Sequence, residues 1–219
     1  MIEAILWDND GVLVDTEEMF FLATRDTLAG VGLDLTREQY IEFALTSGQS
    51  AFDLLETRGW SADQILRLRG ERDLAYAAML CAGCVAMDGV IETLARLKGR
   101  ARMAIVTTSL RKHFDLAHRA SGVREYFDLI LAREDYGQSK PHPEPYLTAL
   151  DRLSVATERC IAVEDSARGL QSALAAGLRC VVVPNRFTRG SQFGAVQWRC
   201  STMYGHWRRW WSRCSRGSV

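Results

Sequence analysis

Polar residues able to do chemistry gather in four short stretches of this chain. Asp8-Asn9-Asp10-Gly11 closes an apolar run near the N-terminus, and Thr107-Thr108-Ser109 closes a second. Lys140 opens the segment Lys140-Pro-His-Pro-Glu-Pro145, and Glu164-Asp165 closes a further apolar run. Carboxylates at i and i+2 of extended chain point the same way. Asp8 and Asp10 would therefore repel each other unless a cation lay beside them. Glu164 and Asp165 add negative charge, which suits an oxygen-liganded Mg²⁺. Lys140 and the Thr107 hydroxyl could then hold an anion against the metal. Acid, metal, lysine and hydroxyl together describe phosphoryl transfer. Singly, an Asp-x-Asp is commonly a turn and a Lys-Pro commonly a helix start; only their conjunction, in this order, is specific.

Such residues need a frame that brings them to one rim. The runs Ile2–Trp7, Arg102–Thr107, Asp128–Ala132, Cys160–Val163 and Cys180–Pro184 read as short buried strands. Helical patterns at Val90–Leu97, His113–Ala120, Tyr146–Leu153 and Ala167–Ala176 alternate with them, the last stopped by Gly177. This alternation predicts an α/β fold with a Rossmann-like parallel sheet covered on both faces. Sites in such sheets lie at the C-terminal strand ends, where the four stretches fall. Between the first two strands, helical patterns over Met19–Leu28, Arg37–Leu45, Ser50–Glu56 and Ala62–Met79 are too long for a crossover. Thr36 with Gln39 is a capping-box candidate. The reading is a core of residues 1–15 and 87–193, with an α-helical domain of residues 16–86 inserted after the first strand. The hinges would be Asp15–Thr16 and Ala82–Met87.

The chain has 219 residues, 47% apolar and 25% charged, which suits one compact domain carrying an insert. No run approaches the ~18 apolar residues of a membrane span. The N-terminus lacks the basic start of a signal peptide, so a cytoplasmic protein is expected, with no membrane partner. The six cysteines are irregularly spaced, and Cys81-Ala-Gly-Cys84 lacks a second pair or a nearby histidine; packing is their expected role. All 27 acids lie at or before Asp165, while nine arginines follow it. Residues 194–219 hold four of the six tryptophans and no acid, the composition of a GC-rich gene read in a shifted frame. They are expected to stand outside the working fold. A tail stacking aromatics on nucleic acid is the alternative, but no groove-reading fold or repeat accompanies it, so nucleic acid is not an expected partner. Oligomeric state is left open.

Asp8–Glu17, Val106–Ser109, Lys140–Tyr146 and Val163–Gly169 resemble the four motifs of the haloacid dehalogenase superfamily. The helical insert resembles the cap of its phosphoglycolate phosphatase and β-phosphoglucomutase branch. The resemblance implies that Asp8 is a nucleophile forming an aspartyl-phosphate, and that Asp10 serves as acid and then base. It implies Mg²⁺ held by Asp8, the Asp10 carbonyl and Asp165, with Glu164 as a ligand or just behind one. Thr107 and the amide of Thr108 would bind phosphate oxygens, and Lys140 would neutralise Asp8 and the transferring group. The implied activity is a Mg²⁺-dependent phosphatase for a small phosphorylated metabolite, a sugar phosphate or phosphoglycolate. Alternatives are a β-phosphoglucomutase-like phosphotransferase, and an inactive or regulatory homologue with a basic binding tail.

Departures from the motifs refine this. The second acid, Asp10, favours phosphate esters over dehalogenation, and no lysine precedes Lys98 to form the Schiff base of a phosphonate hydrolase. Ala51 stands where mutases place an arginine for a far phosphate, which favours a monophosphate. Asp15 and Thr16 are expected to cap the first inserted helix. Glu17 is expected to serve the helix dipole, approach to substrate being the lesser reading. His142 is expected on a loop surface, Asn9 to point away from the acids, and Trp60 and the cap arginines to pack or be solvated.

Overall fold

The computed structural model describes residues 2–193 and the backbone of Trp198–Arg199. Its strands are β1 (Ala4–Trp7), β2 (Arg102–Val106), β3 (Leu129–Leu131), β4 (Cys160–Glu164), β5 (Arg179–Val182) and β6 (Trp198–Arg199). They form one parallel sheet in the order β3-β2-β1-β4-β5-β6, the strand order of dinucleotide-binding folds. β1 is central, with Ala4 opposite both Arg102 and Cys160.

Period-two alternation divides the strands between two apolar layers. Ile5, Trp7, Ile105, Val163 and Val181 face Val90, Leu94 and Leu97 of α4 (Val90–Leu97) and Phe114 of α5 (Arg111–Ala117). Ala4, Leu6, Ala104, Ala162 and Val182 face Tyr146 and Leu150 of α6 (Glu144–Leu153) and Leu170 and Ala173 of α7 (Ala167–Ala175). Both faces being covered, the interiors of β1 to β5 are apolar, charged residues standing only at their ends: Arg102, Arg179 and Glu164. Cys160 and Cys180 pack in the second layer, as expected, but Cys81 is exposed.

Between β1 and β2 lie α1 (Glu17–Ala29), α2 (Arg37–Tyr40), a π-helical stretch Ile41–Ser47, a 3₁₀ stretch Ala51–Arg58 and α3 (Ala62–Ala82). They surround their own apolar cluster, including Phe21, Leu28, Leu45, Phe52, Leu55 and Leu68. The Thr36–Gln39 capping box is formed. The helix expected over Arg37–Leu45 is instead one α-turn that widens into π geometry, a departure common beside functional sites. The two chain crossings run side by side: Asp15 donates its N–H to Val85, and Met87 donates to Leu13.

Residues Trp198–Arg199 pair with Val181–Val182. The rest of the expected aberrant segment, residues 194–197 and 200–219, lies outside the described residues. Among those described, no helix is long and apolar enough to cross a membrane.

Candidate active site

β1 ends one residue before Asp8, whose N–H donates to Val163 on β4 at 2.8 Å. The chain then turns sharply, with the N–H groups of Val12, Leu13 and Val14 all directed at the Asn9 carbonyl. Gly11 makes this possible. Its φ is +78°, and a Cβ there would come within 2.2 Å of Asn185 Nδ2 and 2.6 Å of Asp165 Oδ2. Asn9 points away from the acids, its Oδ1 lying 2.6 Å from His118 Nε2.

Lys140 arrives from the loop before α6 and is pinned at the rim. Its Nζ donates to Asp8 Oδ1 at 2.7 Å, Glu164 Oε1 at 2.6 Å and the Val106 carbonyl at 2.8 Å. Burial works against its charge, yet Asp8 and Glu164 outweigh that and lift its pKa. The Tyr146 hydroxyl also donates to Glu164 Oε1. Burial pushes Asp8 up to about 7, with Lys140 opposing and Glu164 and Asp10 assisting. Asp165 is likewise raised well above the carboxylate range, by burial and by Asp8, Glu17 and Glu164.

Asp8, Glu164 and Asp165 are buried and each turns one oxygen to within 4.8 Å of the others. Three carboxylates against one ammonium leave negative charge that a divalent cation would balance. Glu164 Oε2 is buried without a hydrogen-bond partner. Room for it exists because residue 169 is glycine, where a Cβ would lie 2.0 Å away. The donor set, all oxygen and partly unsatisfied, fits a hard cation such as Mg²⁺.

The Asp10 carboxylate stands outside that cluster, held by three hydroxyls. Thr16 donates to Oδ1 at 2.7 Å, and Thr107 and Ser109 donate to Oδ2, each at 2.9 Å. Thr16 does occupy the N-terminal cap position of α1, but it makes no side-chain cap bond because its hydroxyl serves Asp10. The Thr107 hydroxyl, expected on phosphate, is engaged with Asp10 and the Ser109 N–H. Thr108 lies at the cavity and accepts from Arg168 at 3.1 Å.

Above the rim is a cavity of about 420 Å³ between the sheet and the inserted helices. Asp10, Glu17, Arg69, Arg72, His113 and Arg168 all line it. Glu17 is therefore no solvent-facing dipole residue. It is buried, accepts a short hydrogen bond from the Tyr40 hydroxyl, and is pushed up to about 7, chiefly by burial. Two arginines of α3 pack on aromatic rings, as expected, and also line the cavity. Arg69 ion-pairs with Asp53 at 2.8 Å but leaves Nε buried without a partner. Arg72 ion-pairs with Asp73 at 2.9 Å, its guanidinium 4.4 Å from the Phe20 ring centre. Sequence reasoning missed these two, His113 and Asn185; the spacing of Arg69, Arg72, Asp73 and Tyr76 on one face of α3 was the available signal. His142 is exposed and Trp60 packs in the insert, both as expected.

Residues 5–183 match the haloacid dehalogenase-like hydrolase family. The chain belongs to that family. Among its members, protein CbbY of Cereibacter sphaeroides is 37% identical over 210 residues, covering 90% of each chain. Hexitol phosphatase B of Escherichia coli (strain K12) is 30% identical over 190 residues, covering 84% of each. A crystal structure of a CbbY variant from Rhodobacter sphaeroides, in complex with xylulose-(1,5)bisphosphate, superposes with a TM-score of 0.79 at 31% identity. That match covers 91% of this chain and 94% of the other.

Proposed function

We propose that this protein is a Mg²⁺-dependent phosphatase of a small phosphorylated sugar, acting through an aspartyl-phosphate on Asp8. The observation that carries the proposal is Lys140 held between Asp8 and Glu164 at the strand ends, with Asp10 fixed two residues from the nucleophile. The helices of residues 16–86 act as a cap that admits substrate and then excludes water.

In the first step, a carboxylate oxygen of Asp8 bonds to phosphorus while the bond from phosphorus to the sugar oxygen breaks. Asp10 gives its proton to that departing oxygen. In the second, Asp10 takes a proton from water as the water attacks the same phosphorus, releasing inorganic phosphate and restoring Asp8. Thr16, Thr107 and Ser109 hold the Asp10 carboxyl in one orientation through both steps, since a hydroxyl can turn to donate or accept. Lys140 offsets charge on Asp8 and on the transferring group. Mg²⁺ held by Asp8, Glu164, Asp165 and the Asp10 carbonyl would supply electrostatic stabilisation of the phosphoryl oxygens.

The cavity favours a sugar carrying a second anionic group. Arg69, Arg72 and Arg168 all line it, so the positive charge that Ala51 withholds comes from α3 and α7 instead. This replaces the monophosphate preference drawn from the residue 47–53 loop, and the CbbY complex with a bisphosphate supports it. The test is phosphate release from a panel of sugar mono- and bisphosphates, with Mg²⁺ or with EDTA. Release that needs Mg²⁺ and is fastest on a bisphosphate is expected; no release from any phosphorylated sugar would overturn the proposal.

A further inference from the structure

The segment after β5, Pro184-Asn-Arg-Phe-Thr188, touches both halves of the molecule. Asn185 is buried, and its amide is used at both ends. Its Oδ1 accepts from the N–H groups of Phe187 at 2.8 Å and Thr188 at 3.3 Å. Two backbone donors on that atom fix the sense of the amide, so Nδ2 must face the acids. It donates to Asp165 Oδ2 at 2.6 Å and to the Gly11 carbonyl at 3.3 Å. Asn185 thus grips an acid of the proposed metal cluster and the turn that carries Asp8 and Asp10.

Two residues on, Phe187 leaves the core. It is buried in the apolar cluster of the inserted helices, its ring 6.0 Å from Phe21 and 5.9 Å from Tyr40, with the Arg37 guanidinium 4.5 Å away. Arg186 pairs with Asp15 at 3.0 Å, at the first chain crossing. The shorter of the two N–H contacts that hold Asn185 comes from the residue seated in the cap.

We propose that Asn185 is a positioning residue for Asp165, and that Phe187 makes its grip depend on the seating of the cap. Cap closure and cation binding are then two readings of one loop. When α1 and α2 sit on Phe187, the loop holds Asn185 against Asp165. When they lift, the Phe187 N–H is freed to move, the amide is left with the longer Thr188 contact, and its hold on Asp165 weakens. Linkage makes the dependence mutual, so a bound cation favours the seated cap. The inference rests on the metal reading of Asp8, Glu164 and Asp165.

The test is a titration of the whole protein with Mn²⁺, free ion being counted by electron paramagnetic resonance, with Mg²⁺ as competitor. Asn185→Ala should weaken Mn²⁺ by about tenfold or more, as loss of a ligand's hydrogen-bond partner does. Phe187→Ala should weaken it by about fivefold although it touches no acid, and Phe187→Leu should recover most of that. Should Phe187→Ala not fold, Phe21→Leu, which trims the same contact from the cap side, should shift the Kd in the same direction. Ile65→Ala, in the same cap cluster but not among the rings around Phe187, should lower Tm and leave the Kd alone. A wild type that binds Mn²⁺ while the Asn185 and Phe187 variants match it would overturn the coupling and spare the metal reading. A wild type that binds no Mn²⁺ would overturn both.

Discussion

The rim of the sheet and the cap side of the cavity differ in how fully their polar groups are satisfied. At the rim, Lys140 donates to three oxygens, Asp10 accepts from three hydroxyls and Asp165 is held by Asn185; Glu164 Oε2 is buried without a partner, as are Asn9 Nδ2 and Trp7 Nε1 beside Asp8. On the cap side, Arg69 Nε is buried without a partner and Glu17 is lifted to about 7, while His113 Nε2, unpartnered too, reaches the same cavity from α5. A buried unpaired donor costs free energy that only a partner recovers. The contrast teaches a division of labour. On the proposed function, the carboxylates and lysine that would do the chemistry are organised in advance, whereas Arg69 would be completed by the substrate.

The largest effect should come from breaking the organised side. Lys140→Met leaves three buried acids without their ammonium. Turnover should fall by about 10³-fold or more, and stability by about 3–5 kcal/mol, since uncompensated charge remains buried. Steady-state kinetics and a thermal melt check both; near-normal turnover would remove Lys140 from the mechanism.

The cap side should respond through binding. Arg69→Ala should raise KM for a sugar bisphosphate by about 10- to 100-fold, the worth of one charged hydrogen bond. A monophosphate, lacking the second anion, should lose less. Equal losses on both substrates would mean that Arg69 does not read the second charge.

Legibility divides along the same line. Asp8, Asp10, Glu164 and Asp165 could be placed from sequence because they sit at or just past strand ends, and strand ends follow from apolar runs. The parallel sheet followed for the same reason. Lys140, in the loop before α6, was legible only through its Lys-Pro segment. Spacing sets Arg69 and Arg72 on one face of α3 and Arg67 on another, but only tertiary packing decides which of those faces meets the cavity. Thr16 and Glu17 were located correctly but misassigned: the first turn of α1 faces the site, where Asp10 and Tyr40 compete for side chains that would otherwise serve the helix end. Asn185 lies in a loop with no motif, and its role exists only through a partner twenty residues away.

A pH test sharpens the reading of Glu17. Burial raises its pKa from 4.5 to about 7, with the Tyr40 hydrogen bond opposing. The folded state therefore binds this proton more tightly than the unfolded chain. The resulting stability is fully present below about pH 4.5 and is lost as pH rises through about 7. Glu17→Gln stays neutral throughout. Wild type should thus lose stability relative to Glu17→Gln between about pH 5 and about pH 8, by up to about 3 kcal/mol. A constant difference in Tm across that range would contradict a buried, proton-holding Glu17.

The smallest effect is expected at the sheet edge. Truncation after Phe193 removes β6, in which the described residues Trp198 and Arg199 pair with β5. Tm should fall by no more than about 2–4 °C, the equivalent of about 1 kcal/mol in a chain of this size. A large fall would show that residues 194–219 belong to the working fold.

The central claim is that Asp8 carries the phosphoryl group. The most direct measurement is acid quenching of the enzyme during turnover of a sugar bisphosphate with Mg²⁺, followed by peptide mass spectrometry. One phosphoryl group on the peptide containing Asp8 in the wild type, missing from Asp8→Asn, is the predicted result. Phosphate release by Asp8→Asn at a rate near wild type, with no adduct at Asp8 in either protein, would contradict it.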